Sequence, residues 1–288
     1  MDSRNKMLFS VMVLLWGLNW SVMKMGLSDA PPFTFIFHRY FASFLFSLVL
    51  LFLVKPKIPT DSNTIKKLLI YGLLTATTFT LNTIGLVSQT SSVAAVLTAS
   101  SPIWVLILAV FFLDEHLSPA KIVGTIVGFL GIIILFLSNL GSILSFSSLI
   151  LVLSAVFWSV ASVYCKLKLQ DVSPLVAGIS YMLLTSSIGL ISSIFFEPPF
   201  TSWSLGYLEM VAYSGILSTG IGMTIWVTLL GRVKTTTLSN SIIIVPMLAL
   251  FIGWFLLGEK LGLETLAGSA LVIMSTYMVN RRVKSNND

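Results

Sequence analysis

Residues 101–124 read SPIWVLILAVFFLDEHLSPAKIVG, and residues 245–268 read VPMLALFIGWFLLGEKLGLETLAG. Each stretch holds an apolar run, an acidic corner and the start of another apolar run. Four pairs of residues match at one spacing of 144: Pro102 with Pro246, Glu115 with Glu259, Leu117 with Leu261, and Gly124 with Gly268. An ordered set of matches at one spacing indicates an internal duplication.

The duplication extends towards both ends of the chain. Four more pairs match at a spacing of 142: Trp16 with Trp158, Lys24 with Lys166, Asp29 with Asp171, and Pro32 with Pro174. We therefore predict two repeats, residues 1–140 and residues 145–288.

The composition is that of a membrane protein. Apolar residues make up 56% of the 288 positions, charged residues only 10%, and the mean hydropathy is +0.97. A soluble domain normally has about a quarter of its residues charged. The apolar runs are continuous and do not alternate with period two, which disfavours a membrane β-barrel.

Ten runs are long enough to cross a bilayer as helices, for which about 20 mostly apolar residues are needed. We number them as spans 1 to 10: residues 7–25, 34–54, 68–87, 92–112, 121–138, 148–166, 175–195, 207–228, 236–257 and 263–279. Five spans per repeat is an odd number, so the second repeat enters the membrane inverted. Inverted repeats are typical of secondary transporters that work by alternating access.

The basic residues predict the orientation. If the amino terminus is cytoplasmic, 14 of the 17 Lys and Arg residues fall in inside segments, and only Lys24, Arg39 and Lys260 do not. This bias predicts that both termini are cytoplasmic. It also accounts for the net charge of +6 without nucleic acid as a partner.

Four segments resemble one known family. They are LWGLNW at 15–20, TSSVAAVLTASSP at 90–102, FFLDEHLSPAKIVG at 111–124 and GEKLGLETLAG at 258–268. They look like the EamA family of the drug/metabolite transporter superfamily. The resemblance implies an all-α transmembrane fold of ten helices, as two five-helix inverted repeats around a central cavity lined mainly by spans 1 to 4 and 6 to 9. It also implies transport of small metabolites, often export of amino acids or related compounds.

Arg39 is the main candidate for substrate binding, because ionisable groups inside a bilayer are costly and usually functional. Its guanidinium can hold a carboxylate through two parallel hydrogen bonds. The alternative is that Arg39 snorkels outward or pairs with backbone carbonyls. For Lys24 and His38 we favour the structural interpretation.

Polar and aromatic residues within spans supply further candidates, because a polar helix face in lipid must look inward. The candidate substrate-binding residues besides Arg39 are Asn19, Trp20, Asn82, Trp158, Tyr181 and Asn240. Trp16, Trp20 and Trp158 are candidates for an aromatic wall against apolar or cationic cargo. Helix-to-helix hydrogen bonds and core packing are the alternatives for these residues.

Pro102 and Pro246 each remove one helical hydrogen bond at matched positions of the two repeats. They predict paired kinks that act as hinges or gates, with static bends as the alternative.

Gly124, Gly128 and Gly131 have a spacing that suits close helix packing, within the protomer or between protomers.

Acidic residues avoid the middle of every span, so a carboxylate proton relay is not evident. We expect Glu115 and Glu259 to stabilise helix-to-helix corners.

With two His residues and no HExxH pattern, we expect neither an intramembrane enzyme nor a metal or cofactor. A channel would need charged rings or a filter loop, and the sequence has neither.

The sequence thus predicts a multi-pass transporter of the plasma membrane, an exporter or exchanger of amino acids or related carboxylates. Nucleotide-linked or cationic compounds are the alternative cargo. The expected partners are a small-molecule substrate and membrane lipid, and the state is a monomer or homodimer.

This topology predicts a labelling pattern. After removal of Cys165, cysteines placed beside Lys57 and Lys284 should be protected from impermeant reagents outside the cell, and one beside Trp203 should react. An extracellular carboxyl terminus would contradict the ten-span arrangement.

Overall fold

The computed structural model describes residues 3–112, 119–137, 143–232 and 244–280, and all regular secondary structure in these ranges is helical. Ten helices correspond one to one with the ten predicted spans, which confirms the all-α fold. They are α1 Ser3–Asp29, α2 Pro32–Val54, α3 Ser62–Ser88, α4 Ser91–Thr98 and Ser101–Phe112, α5 Pro119–Leu137, α6 Ile143–Lys168, α7 Pro174–Phe196, α8 Leu205–Arg232 in three segments, α9 Ile244–Leu257, and α10 Leu263–Asn280. The predicted start of span 9, at 236–243, and part of the repeat junction at 140–145 lie outside the described residues.

Local sequence explains several helix starts. Asp61 caps α3 by accepting a hydrogen bond from the Thr64 backbone N–H at 2.8 Å, and Thr90 caps α4 in the same way. Pro32 and Pro174, a matched pair of the two repeats, are the first residues of α2 and α7. Proline is favoured there because its missing N–H would have no helical partner.

The outer surface of the bundle suits lipid. Six helices, α1, α2, α3, α6, α7 and α8, are long and apolar enough to cross a membrane, by length and composition. Large apolar side chains, such as those of Phe52, Phe195 and Phe255, are exposed on the helices. The four other helices carry shorter apolar stretches.

The two halves of the chain show the same helix contacts. If each helix is replaced by its equivalent in the other half, α1 by α6 and so on to α5 by α10, each contact named below becomes another observed contact. Helices α2, α4 and α5 pack against their own equivalents α7, α9 and α10. The pair α1–α8 has its counterpart in α6–α3, the pair α1–α9 in α6–α4, and the pair α2–α8 in α7–α3. This is the contact pattern of two five-helix units related by a pseudo-twofold axis.

Helix α4 is broken into two segments. The first ends at Thr98, and the second begins at Ser101, directly before Pro102. At the break, the Ser100 backbone N–H donates to the Leu97 carbonyl and the Ser100 hydroxyl donates to the same oxygen. These bonds replace helical ones, so the interruption leaves few backbone groups without a hydrogen-bond partner.

Helix α8 contains a nine-residue π-helical segment, Tyr213–Ile221, between the α-helical segments Leu205–Ala212 and Gly222–Arg232. Three of its carbonyls receive side-chain hydrogen bonds, including that of Gly220 from the Thr224 hydroxyl at 2.8 Å. The Thr219 hydroxyl donates to the Ser214 carbonyl at 2.8 Å, and the Trp16 indole N–H donates to the Ser218 carbonyl at 3.1 Å. Such segments are rare and frequently occur at functional sites.

The glycines of α5 pack within the protomer. A Cβ atom on Gly131 would lie 2.8 Å from the Gly268 carbonyl oxygen of α10 and 2.9 Å from Leu271 Cβ. Gly128 lies against Ile103 and Ser275. Of the two alternatives for this glycine pattern, the structure shows contact inside one chain.

Substitution of Gly131 by Ala should therefore separate α5 from α10. We expect the free energy of unfolding to fall by about 1–3 kcal/mol, because overpacking costs that much in a well-packed interface. The measurement is the apparent melting temperature in detergent. Gly178→Ala in α7 is the matched control, because its nearest neighbour is the Met182 methyl at 4.0 Å. Equal losses in the two variants would contradict this interpretation.

Candidate functional site

Arg39 lies inside the bundle, with only 5% of its surface exposed. Its Nη1 donates to the Met23 sulfur at 3.0 Å, and its Nη2 donates to the Thr219 hydroxyl at 3.1 Å. Its Nε has no hydrogen-bond partner among the described residues. Both partners are neutral, so this part of the chain leaves the positive charge without a counter-charge.

Three helices meet at this guanidinium. The Asn19 amide of α1 donates to the Met23 sulfur at 3.2 Å and accepts a hydrogen bond from the Ser214 hydroxyl of α8 at 2.7 Å. We call Asn19, Met23, Arg39, Ser214 and Thr219 the Arg39 cluster. It joins α1 and α2 of the first repeat to the π segment of the second.

The π segment can approach Arg39 because of a glycine. A Cβ on Gly215 would collide with the Arg39 carbonyl oxygen, so the backbone of α8 touches the backbone of α2 at this point. The wider π turn then holds Ser214 and Thr219 together, since the hydroxyl of Thr219 reaches the carbonyl five residues earlier. Both hydroxyls thereby face the same cluster.

An aromatic cluster adjoins Arg39. The ring of Phe79 in α3 lies 5.4 Å from that of Tyr40, 5.6 Å from that of Tyr181 and 5.8 Å from that of Trp158. The guanidinium carbon of Arg39 lies 4.9 Å from the centre of the Tyr40 ring. Rings from α2, α3, α6 and α7 therefore form one wall beside the charge.

Two hydroxyls in the aromatic cluster lack partners. Tyr40 and Tyr181 are fully buried, and neither phenol oxygen has a hydrogen-bond partner among the described residues. A buried polar group without a partner costs about 1–3 kcal/mol. Together with Arg39 Nε, the region holds three unpaired hydrogen-bond donors.

The predicted site residues fall into three groups. Asn19 and Arg39 belong to the Arg39 cluster, and Trp158 and Tyr181 belong to the aromatic cluster. Trp20 packs against the hydrophobic core that contains Met23, Phe35 and Leu97, and Asn82 accepts a hydrogen bond from Ser154 of α6. Asn240 lies outside the described residues.

Trp16, Lys24, His38 and several threonines of the spans have structural partners. Trp16 packs against Trp226 at 5.7 Å, so it faces α8 and not Trp158. The hydroxyls of Thr75, Thr78 and Thr185 donate to carbonyls of their own helices. His38 hydrogen-bonds the Tyr207 hydroxyl at 2.8 Å, and Lys24 donates to the carbonyls of Leu86 and Val87.

Sequence reasoning missed Thr219, Tyr40 and Phe79. Thr219 is 180 residues from Arg39, and nothing in the periodicity of span 8 marks a π segment. Tyr40 and Phe79 look like ordinary core residues in their spans. Only the packing of α2 against α3, α7 and α8 brings them to the charge.

Comparison with known proteins matches the chain to the EamA-like transporter family twice, at residues 6–137 and 145–281. A Bacillus subtilis protein named "Uncharacterized transporter YoaV" is 27% identical over 93% of this chain and 95% of its own length. Proteins named "Probable amino-acid metabolite efflux pump" from Salmonella typhimurium and Escherichia coli are each 27% identical, over 96% of this chain and 95% of their own lengths.

A solved crystal structure superimposes with a TM-score of 0.66 at 19% identity. It covers 97% of this chain and 98% of its own. This likeness shows the same fold over the whole length. The family and its named relatives indicate a transporter of small molecules in a membrane, and not an enzyme. Because the family match covers nearly all of both halves, the chain belongs to the EamA-like transporter family.

Proposed function

We propose that this chain exports or exchanges small carboxylate-bearing metabolites, with amino acids first among them, and that Arg39 binds the carboxylate. The observation that carries the proposal is the buried guanidinium with an unpaired Nε beside two unpaired phenols. A charge in this position costs several kcal/mol unless something compensates it. A substrate that arrives and leaves supplies that compensation.

The unpaired atoms point to the chemistry of the ligand. A guanidinium N–H is a donor only, and a phenol can donate. A carboxylate only accepts, and its two oxygens fit the fork of an Arg side chain. The uncharged sulfur and hydroxyl that now contact Arg39 are weaker acceptors than a carboxylate, so exchange for the substrate is favourable.

The position of the cluster supports alternating access. Arg39 belongs to the proposed first repeat, 1–140, and its partner Thr219 belongs to the proposed second repeat, 145–288. Rocking of one repeat against the other changes this contact directly. The protein then works in the plasma membrane with both termini in the cytoplasm, as the basic residues predict.

Two relatives support the substrate class by name. The proteins of Salmonella typhimurium and Escherichia coli are named as amino-acid metabolite efflux pumps. A net positive site disfavours cationic cargo, because a desolvated cation beside Arg39 is repelled. Amino acids and related carboxylates are therefore the substrates to test first.

The matched prolines are the proposed hinges. Pro102 follows the break in α4, and Pro246 is the third residue of α9. We expect Pro102→Ala and Pro246→Ala to slow turnover more than they weaken binding, because alanine lacks the fixed φ of proline and so changes the balance between conformations at the start of each described helical segment. Counterflow rates and substrate affinity in proteoliposomes measure the two effects separately. Unchanged kinetics in both variants would leave the prolines as static bends.

Substitution of Arg39 tests the binding proposal. Arg39→Lys keeps the charge but loses the forked geometry, so we expect affinity for a carboxylate substrate to fall about tenfold or more. Arg39→Gln should abolish discrimination between an amino acid and its carboxamide. Binding of both ligands to purified protein measures this, after labelled amino acids that show counterflow have been identified.

Thr219→Val is the companion variant. It removes the hydroxyl that accepts from Arg39 and leaves the charge in place, so discrimination should persist. If wild type binds acid and amide equally, or if Arg39→Gln leaves their ratio unchanged, Arg39 does not read the carboxylate.

A further inference from the structure

Glu259 lies two residues after α9 and caps a helix of the other repeat. Its carboxylate accepts hydrogen bonds from the backbone N–H of Ser91 at 2.6 Å and of Ser92 at 3.1 Å, and from the Ser92 hydroxyl. These groups form the first turn of α4. The contact therefore joins the end of α9 to the beginning of α4, across the two repeats.

Two glycines allow the Glu259 carboxylate to reach the first turn of α4. Gly258 has φ = +63°, a left-handed conformation that glycine adopts without strain, and the Glu259 N–H returns to the Gly253 carbonyl at 3.2 Å. A Cβ on Gly253 would lie 2.5 Å from both Glu259 Oε2 and Ser92 Oγ. Glycines at both positions thus make room for the contact.

A positive charge lies beside it. Lys24 near the end of α1 donates to the carbonyls of Leu86 at 2.9 Å and Val87 at 2.8 Å, in the last turn of α3. The Glu259 carboxylate is close enough for the two charges to attract. The Lys24 ammonium and the N-terminus of α4 thus both place positive charge near this carboxylate.

The element that Glu259 holds is short. The first segment of α4 has eight residues and ends at the break before Ser101. The break separates it from the rest of α4, so it can move without bending a continuous helix. Residues Ser91 to Leu97 of this segment are buried, and the Glu259 contact lies at its first turn, where it joins the segment to the end of α9.

Glu197 makes the same kind of contact in a different setting. It follows α7 and accepts hydrogen bonds from the backbone N–H groups of Phe33 and Thr34, at 2.7 and 2.8 Å, and from the Thr34 hydroxyl at 2.9 Å. Here α2 and α7 also interlock further along their length. Gly189 touches the α2 backbone, and Ser43 and Ser47 both donate to the Met182 sulfur.

We propose that Glu259 is a latch between the repeats, which holds α4 against α9 and keeps this end of the bundle closed. Release of the carboxylate from Ser91 and Ser92 lets the first segment of α4 move away and opens the path at that end. Glu197, by contrast, caps the interface between α2 and α7, which stays packed during transport. Glu259 is thus a positioning residue for transport, and the inference rests on the alternating-access part of the proposed function.

A buried reporter tests the latch. Ala249 is fully buried and lies one helical turn before Gly253, on the same face of α9. In full-length protein with Cys165→Ala, we expect Ala249→Cys to react slowly with a maleimide in detergent, without substrate. Adding Glu259→Gln should raise the reaction rate about tenfold, as expected when a charged hydrogen bond between two states is lost.

Glu197→Gln is the matched control, because it makes the same chemical change at the same kind of helix cap. We expect it to leave the labelling rate of Ala249→Cys unchanged, although both variants lower the melting temperature. If Glu259→Gln does not fold, Ser92→Ala removes one donor to the carboxylate and should raise the rate by a smaller factor. An unchanged rate in whichever of these variants folds, or equal increases with Glu197→Gln, would show that Glu259 is only a helix cap.

The two proposals fail separately. The labelling uses no substrate, so failure of amino acids to bind leaves its result intact. Binding of amino acids to wild type, together with unchanged labelling in Glu259→Gln, overturns the latch alone.

Discussion

Every backbone N–H and C=O that lies in the hydrocarbon core of the bilayer must find a partner inside the protein, because no water is available there. Continuous helices meet that requirement by themselves, and most of this bundle consists of them. Where a helix is interrupted or ends, side chains form the hydrogen bonds to the backbone instead. Trp16 and Thr219 serve carbonyls of the π segment, and Glu197 and Glu259 serve the free N–H groups of α2 and α4.

The absence of water also makes the burial of the Arg39 charge costly. A guanidinium buried among a thioether, a hydroxyl and aromatic rings is expensive, and the described part of the chain supplies no carboxylate for it. The unpaired Nε and the two unpaired phenols add to that cost. In the proposed function, a substrate carboxylate offsets this cost.

The Arg39 cluster and the Glu259 contact connect the same two repeats at different levels of the bundle. The first joins α1 and α2 to α8, and the second joins α9 to α4. In the two proposals, the substrate changes the Arg39–Thr219 contact, and release of Glu259 changes the contact between α9 and α4. Helix α1 takes part in both, because it contains Asn19 and Met23 of the Arg39 cluster and Lys24 near Glu259.

The sequence by itself determined the number of helices and indicated the duplication, because span length, apolar content and spacing are local properties that lipid imposes on each segment. For Arg39 it left burial and snorkelling open, and the structure shows burial. The sequence also indicated Asn19, Trp158 and Tyr181. Only the tertiary structure decided that α8 unwinds into a π segment, that Thr219 meets Arg39, and that Glu259 caps α4 and not a corner of its own repeat. Those features depend on contacts between helices far apart in the chain, such as Gly215 against the Arg39 carbonyl, and no local pattern encodes which distant backbone a glycine will touch.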